Sequence, residues 1–203
     1  MQDQLNSAPK LGEPGAGLPF YEWFVAKYFL FPQRFRTIDN VQAISNFAEE
    51  SKNVMRIASR LTDAELLEKR LIKRLRGLED NSRYWSIAMA IEHMIIAGTS
   101  LRGVIIALSN GRSDLPESTI AGLKPNPEIS AEGLIERFQQ MTEKFVRTAE
   151  GAKVDAFPKI TYGHPWFGPL NAEQWLIFAG AHQTVHRNQI EEIARILRKE
   201  NKS

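Results

Sequence analysis

The stretch WLIFAGAHQTVHRNQI, residues 175–190, decides the fold class because its apolar residues recur at helical spacing. At about 100° per residue, apolar positions such as Ile190 lie within about 60° of Trp175 on the helix surface. His182 and His186 fall within about 20° of the same direction, at the centre of the apolar stripe. The pattern predicts a long amphipathic helix that carries two imidazoles on its core-facing side.

This histidine pair has two interpretations. Two histidines at positions i and i+4 on one helix face can bind a single metal ion, as in the HExxH zinc helices. The alternative is a pair of core histidines hydrogen-bonded to side chains or buried water, because an unpaired buried polar group is costly. The pair alone does not separate the two interpretations, so a third ligand decides between them.

A third histidine lies in a second helix that is predicted to be buried. The chain has four histidines, and His93 lies in residues 84–98, which are apolar almost all the way round the helix. His93, His182 and His186 together offer three neutral imidazoles, the ligand number of catalytic zinc sites, which leave a coordination position for water or substrate. Imidazole also suits nickel, copper and iron, so the pattern predicts a divalent ion, with zinc and nickel placed first.

His164 and Glu92 are weaker candidates. His164 belongs to the loop before the last helix, which puts it at the rim of the same pocket as at most a substrate contact. Packing of Trp166 and Phe167 over the end of the bundle is the favoured use of that loop. Glu92 points about 100° away from His93 on its helix, so a structural carboxylate is favoured over a base. No catalytic residue is assigned.

The composition is typical of a single globular domain. The 203 residues are 43% hydrophobic and 25% charged, with a formal charge of +2 that gives no reason to expect a nucleic-acid partner. The absence of cysteine excludes disulfides, a thiolate nucleophile and a cysteine-based zinc site, and it fits the cytoplasm, the predicted location. The basic stretch 69–76 alternates with leucine and isoleucine and predicts a solvated helix face.

Four long helices are predicted, and they indicate an all-α, up-and-down four-helix bundle. The first three are predicted near 38–60, 82–109 and 130–149, and the last begins after Asn171. Ser130 and Asn171 are the expected N-caps of the last two, and Thr62 to Glu65 has the form of a capping box. Residues 112–129 form a long crossover loop, and the best of the weak strand signals is at 156–161.

The N-terminal residues are predicted to stand apart from this bundle. Residues 1–18 predict a flexible lead, and residues 19–203 one helical-bundle domain. An additional short aromatic helix is expected near 19–31, ending around Pro32. It is too short to span a membrane and carries charges such as Glu22. Packing onto the bundle is its favoured role, with a homodimer contact or a membrane-surface contact as alternatives.

The runs HPWFGPLNAEQW at 164–175 and HQTVHRNQI at 182–190, with His93 on an earlier helix, resemble the DinB-like superfamily. The likeness is strongest to a branch of unassigned function with the run HPxFGxL…QW…HxxxHxxQI, and it covers roughly residues 38–199. The resemblance implies a four-helix bundle whose three histidines hold a divalent metal. Characterised relatives include thiol-dependent S-transferases and a maleylpyruvate isomerase that uses a low-molecular-weight thiol, and others have been called metal-dependent hydrolases.

The sequence and the resemblance together predict a metal-dependent enzyme of thiol-transferase or hydrolase type. The expected partner is a small-molecule substrate, with a low-molecular-weight thiol implied by the resemblance, and neither nucleic acid nor a membrane span is expected. The alternative is a non-catalytic bundle in which an ion or a buried polar network fixes the core and residues 20–31 form a homodimer.

Overall fold

The computed structural model describes residues 9–116 and 120–200 of the chain. It is mostly helical, so the predicted all-α class and four-helix bundle are confirmed. The helices are α1 (Phe20–Val25), α2 (Phe31–Thr37), α3 (Asn40–Ala58), α4 (Asp63–Leu67), α5 (Ile87–Ser109), α6 (Leu134–Gly151) and α7 (Ala172–Glu200). Two short antiparallel pairs lie in the connections: β1 (Arg70–Leu71) with β2 (Tyr84–Trp85), and β3 (Tyr162–His164) with β4 (Gly168–Leu170).

The order in which the long helices pack determines which of them can share a site. Both α3 and α5 pack against α6 and against α7. Helices α3 and α5 therefore occupy opposite corners, as do α6 and α7, whereas a simple up-and-down bundle places consecutive helices side by side. The long connections at 59–86 and 152–171 supply the chain for these crossings. As a result α5 and α7, the two helices that carry the predicted ligands, are direct neighbours.

The core between the four helices is continuous and apolar. Phe47 of α3 and Phe145 of α6 stack in its centre with ring centroids 3.8 Å apart, and both side chains are fully buried. Helices α5 and α6 approach closely where Gly98 faces Met141. A Cβ at position 98 would lie only 2.5 Å from the Met141 sulfur, so a larger residue there would force Met141 to shift. Dense packing of this kind fixes the positions of side chains on α5 and α7.

Helix α5 is the most apolar of the bundle helices. By length and composition alone it is long and apolar enough to cross a membrane, and half of its most apolar window is buried inside the structure. It packs against both α6 and α7. Core packing therefore accounts for its composition, as expected for a helix that is apolar almost all the way round.

Two of the predicted caps are present. Thr62 and Glu65 form the reciprocal capping box at the start of α4. Before α7, Gln174 N–H donates to Asn171 Oδ1 at 2.9 Å, and Asn171 N–H donates back to Gln174 Oε1 at 3.0 Å. Because α7 begins at this fixed point, the register of its two histidines relative to the preceding loop is fixed as well.

The predicted cap at Ser130 is wrong. Helix α6 begins at Leu134, after Gly133 in the left-handed conformation (φ 61°). The Ser130 hydroxyl instead accepts a hydrogen bond from the N–H of Glu132, in a turn before the helix. Serine side chains serve such turns as readily as helix caps, so the pattern alone could not distinguish them.

Two further segments differ from their predicted structure. The basic stretch 69–76 is not helical: it is extended around β1, with Ile72 buried and Arg70 paired with Glu68 and Glu200. Residues 156–161 contain no strand, and the β3–β4 hairpin follows them. In both places a short apolar alternation was compatible with more than one local structure, and tertiary pairing decided between them.

The aromatic helix near 19–31 is present but continues to Thr37. Between α1 and α2 the backbone forms a π-helical turn at Ala26–Leu30, where the N–H of Phe31 bonds to the carbonyl of Ala26. Pro32 then occupies the first turn of α2, where its missing N–H is tolerated. The segment is held to the bundle in part by Trp23, whose Nε1–H donates to the carbonyl of Trp166 at 2.7 Å.

Residues 9–18 contain neither helix nor strand, but they contact the bundle connection at 79–81. The N–H of Gly12 donates to Asp80 at 2.8 Å, and the N–H of Gly17 donates to Glu79 at 3.2 Å. The rest of the predicted flexible lead, residues 1–8, lies outside the described residues. The division into a lead at 1–18 and one domain at 19–203 stays a prediction.

Candidate metal centre

The structure brings the three predicted ligands together between α5 and α7. His93 lies in the second turn of α5, after the N-cap Ser86, and His182 and His186 lie one turn apart on α7. One ring nitrogen from each histidine lies within 4.8 Å of those of the other two. The ring centroids are 4.5 Å apart for His93–His186 and for His182–His186, and 5.1 Å apart for His93–His182.

The proton of His93 is assigned by its backbone partner. Nδ1 lies 2.7 Å from the carbonyl oxygen of Leu123, and a carbonyl can only accept, so Nδ1–H is the donor. In the neutral ring, Nε2 therefore carries the free lone pair. That lone pair faces His182, whose Nε2 lies 3.1 Å away.

Gln189 assigns the proton of His186 in the same way. The Gln189 amide donates from Nε2 to the carbonyl of Ser82 at 2.7 Å, which leaves its Oε1 to accept from His186 Nδ1 at 2.8 Å. His186 Nε2 is then also unprotonated. A hydrogen bond from the second ring nitrogen to a protein oxygen is the usual support of a metal-binding histidine, because it fixes tautomer and ring orientation.

The three side chains fit a divalent ion. Two ring nitrogens 3.1 Å apart can both lie about 2.0–2.1 Å from one ion if the angle between them is about 100°. In the absence of an ion, His182 must donate from Nε2 to the lone pair of His93. Binding through Nε2 therefore requires His182 to adopt the other neutral tautomer, with its proton on Nδ1.

Burial keeps the cluster uncharged. It lowers the pKa of His93, lowers that of His182 well below the usual value, and lowers that of His186 to about 3. The neighbouring imidazoles reinforce the shifts of His182 and His186, because two positive rings would repel each other. All three rings are therefore neutral at physiological pH, the form in which imidazole binds metals.

Trp85 forms one wall of the cluster and was not singled out by the sequence. Its ring is nearly parallel to that of His186, at 9° with centroids 6.2 Å apart, and lies 5.3 Å from that of His93. Trp85 belongs to β2, immediately before the cap of α5. Its position two residues before a buried helix indicated burial, but nothing in its spacing indicated contact with α7.

His164 lies beside the cluster and has the opposite proton arrangement. Its Nδ1 accepts hydrogen bonds from the backbone N–H groups of Trp166 at 3.1 Å and Phe167 at 3.3 Å. The proton of the neutral ring is therefore on Nε2. Burial lowers the pKa of His164 to about 4, so the ring stays neutral. Because Nε2 carries the proton and the lone pair of Nδ1 accepts two hydrogen bonds, His164 has no free lone pair for a metal ion. This agrees with the prediction that His164 is not one of the three ligands.

Glu92 does not belong to the cluster. Its carboxylate accepts a hydrogen bond from the backbone N–H of Asn126 at 2.5 Å and so holds the connection after α5. This is the structural role that the helical geometry favoured. By contrast, Gln189 projects from α7 close to the face that carries the ligands, and its contact with His186 gives it a specific function.

A deep cavity of about 800 Å³ opens beside the histidines. Its wall includes all four histidines, Trp166 and Phe167 of the hairpin tip, and residues of the α1–α2 segment. The loop at 164–170 thus lies at the same end of the bundle as the cluster. A volume of this size is within the range of small-molecule sites.

Comparison with known families gives a match over most of the bundle. The family model of the DinB superfamily matches residues 46–190, a range that contains all four histidines. No curated protein matches the chain.

Among solved structures, the fold is similar to that of YfiT from Bacillus subtilis, with a TM-score of 0.56 and 15% sequence identity. The match covers 78% of this chain and 87% of YfiT. YfiT is described as a probable metal-dependent hydrolase with an unusual four-helix bundle topology. At this identity the likeness shows the fold.

Proposed function

Because the chain belongs to the DinB superfamily and brings three histidines together beside a deep cavity, we propose that it is a metal-dependent enzyme acting on a small molecule. His93, His182 and His186 would hold the divalent ion, zinc or nickel by ligand preference. The observation that carries the proposal is the direction of two hydrogen bonds. His93 and His186 both give Nδ1–H to a protein oxygen and keep Nε2 free for an ion.

Thiol transfer is the reaction class that we place first. The bound ion would supply Lewis acidity, which lowers the pKa of a thiol or a water molecule beside it. A free thiol has a pKa of about 8.5, so a modest lowering produces thiolate at neutral pH without a protein base. Two carboxylates, Glu22 and Glu79, lie on the cavity wall within the described residues, and neither is free to act as a base. Glu22 pairs with Arg74, and Glu79 accepts a hydrogen bond from the N–H of Gly17. A low-molecular-weight thiol therefore suits this site as the nucleophile.

Hydrolysis is the second candidate. It is supported by the description of YfiT and by the three-ligand set, which leaves a coordination position where water can bind. For either reaction, His164 is suited to donate a hydrogen bond from Nε2–H to the substrate, because its Nδ1 is held by two backbone amides. A donor aimed at an oxygen or sulfur that gains negative charge would stabilise that charge.

The test begins with the metal content of protein purified without chelator. Zinc- and nickel-loaded protein would then be assayed for conjugation of thiols to 1-chloro-2,4-dinitrobenzene and for hydrolysis of p-nitrophenyl esters. We expect turnover that requires the ion and falls at least about 100-fold in His182→Ala, because an imidazole ligand is lost. Arg195→Ala, an exposed position on the same helix that does not line the cavity, is the matched control and should retain both ion and turnover.

Metal binding without turnover of any substrate class would support the non-catalytic alternative. Failure of the wild-type protein to bind any divalent ion would contradict the proposal as a whole. Esterase activity that exceeds thiol conjugation would reverse the order of the two reaction classes.

A further inference from the structure

The cavity continues from the histidines along one stripe of α5. His93, Ala97, Leu101 and Val104 line it in turn. At about 1.5 Å per residue this stripe is about 16 Å long. Ser100 is the one other residue of α5 on the cavity wall. The surface that leads away from the cluster is therefore almost entirely apolar.

The N-terminal helical segment supplies a second apolar wall. Val25 and Leu30 of that segment line the same cavity, together with Leu18 just before it. The hydrogen bond from Trp23 to Trp166 ties this wall to the hairpin tip. The apolar surface is thus part of the folded structure rather than a gap between loosely joined segments.

Two guanidinium groups lie at the edge of the cavity. Arg34 of α2 and Arg76, before Gly77, line the cavity and are exposed to solvent, which places them at its rim. Within residues 9–116 and 120–200 neither takes part in an ion pair. By contrast, Arg74 beside them is paired with Glu22.

The charges at the cavity sum to +1 when Arg74, the partner of Glu22, is counted with the charged residues of the wall. Four charged residues line it: Glu22, Arg34, Arg76 and Glu79. Glu22 is offset by its pair with Arg74, and Glu79 is hydrogen-bonded to the N–H of Gly17. Arg34 and Arg76 therefore outweigh the remaining carboxylate, and a ligand with an acidic group would complement the rim.

We infer that the substrate is an elongated amphipathic anion, whose apolar body lies along the α5 stripe and whose acidic group lies at Arg34 and Arg76. Calling this ligand the substrate rests on the proposed function, but its binding does not require an ion. A neutral apolar ligand would leave both guanidinium groups without a partner, and a compact polar ligand would leave most of the apolar wall in contact with water. The amphipathic anion satisfies both parts of the cavity.

Decanoate and decanol provide the test, because they share a saturated chain and differ at the head group. Binding would be measured by calorimetry on metal-free protein, so that a carboxylate cannot bind an ion. We expect decanoate to bind about tenfold more tightly than decanol, as two partly exposed ion pairs would produce. The double variant Arg34→Gln/Arg76→Gln should bind decanoate and decanol equally.

Matched variants distinguish this cavity from the rest of the surface. Arg36→Gln/Arg60→Gln removes the same charge from exposed residues that do not line the cavity, and should leave the preference for decanoate intact. Ser100→Phe fills the α5 stripe and should weaken both ligands, whereas Thr99→Phe, at the exposed neighbouring position, should weaken neither.

Equal affinity of the wild type for the two ligands would overturn the inference, as would absence of binding. It would also be overturned if Ser100→Phe had no effect, or if the control pair of arginines mattered as much as the rim pair. These results are independent of the metal titration. Decanoate binding in a protein that binds no ion would contradict the proposed function alone, and metal binding without any decanoate preference would contradict this inference alone.

Discussion

At the scale of single residues, Gln189 tests whether the cluster is a metal site. Gln189→Leu keeps a similar volume but removes the acceptor of His186 Nδ1–H and the donor to Ser82. Loss of such an orienting group typically costs about 10–100-fold in metal affinity, and we expect a loss of that size by calorimetric titration with zinc. Gln183→Leu, a buried amide on the same helix that bonds to Ser51, should leave metal affinity unchanged.

Two substitutions separate the roles of the two ring nitrogens of His164. In His164→Asn, the side-chain oxygen of the new asparagine would occupy the place of Nδ1 and keep the turn, but the Nε2–H donor would be lost. His164→Gln places an amide near the position of Nε2 and loses the acceptor for Trp166 and Phe167. If the donor matters for turnover, kcat of the Gln variant should exceed that of the Asn variant, although the Asn variant should unfold at the higher temperature. Both should retain the ion; loss of metal from the Asn variant would contradict the assignment.

The lowered pKa of His164, about 4, predicts a pH dependence of stability. Above pH ~6.5 the ring is neutral in both folded and unfolded protein, so it contributes nothing. As the pH falls from about 6.5 to about 4, the unfolded chain binds a proton that the folded chain does not, and the free energy of unfolding decreases by roughly 2–3 kcal/mol. In urea titrations of metal-free protein, His164→Asn should lose less stability over this range than the wild type. Equal slopes would contradict the prediction.

At the scale of elements, the hydrogen bond from Trp23 joins the α1–α2 segment to the hairpin. Trp23→Phe keeps an aromatic ring but removes the hydrogen bond to the Trp166 carbonyl, which should cost about 1 kcal/mol. We expect faster hydrogen exchange in residues 20–37 with little change in α5 and α7. Tyr28→Phe, in the same segment, is the control and should not change exchange there. Uniformly faster exchange throughout the bundle would show that the segment is not a separate unit.

The elements show which parts of the structure a sequence could predict. Helices α5 and α7 and their three histidines could be predicted from the apolar periodicity and from the chemistry of buried imidazole. Each of these signals is contained within the sequence of a single helix. The β3–β4 hairpin and the extended chain at 69–76 did not follow, since their short patterns depend on partners distant in the chain. Likewise, the contacts of Gln189 with Ser82 and of His93 with Leu123 join separate elements, and no local spacing indicates them.

At the scale of the whole molecule, binding of an ion should appear as thermal stability. At a free metal concentration of about 100 times Kd, the folded state gains about 2.7 kcal/mol, which for a chain of this size raises Tm by about 5–10 °C. Wild type should show this increase with zinc or nickel, and His186→Ala should show none while still melting cooperatively. A shift of the same size in His186→Ala would place the ion elsewhere.

The homodimer stays a prediction, and the outer side of the N-terminal segment is the surface proposed to form it. Phe20, Tyr28 and Phe29 are 75%, 52% and 60% exposed, so several large aromatic side chains lie next to one another on the surface. A patch of this kind is typical of a contact surface.

Helices α5 and α7 are neighbours in the bundle but are separated in the sequence by α6, and this affects how the site forms during synthesis. His93 and His182 are separated by 89 positions, and α7 leaves the ribosome well after α5. A nascent chain can present His93 without its two partners, and the complete triad exists only once α7 has docked beside α5. A ribosome-stalled or prematurely terminated chain that lacks α7 would therefore lack His182 and His186 and would present only one of the three proposed ligands.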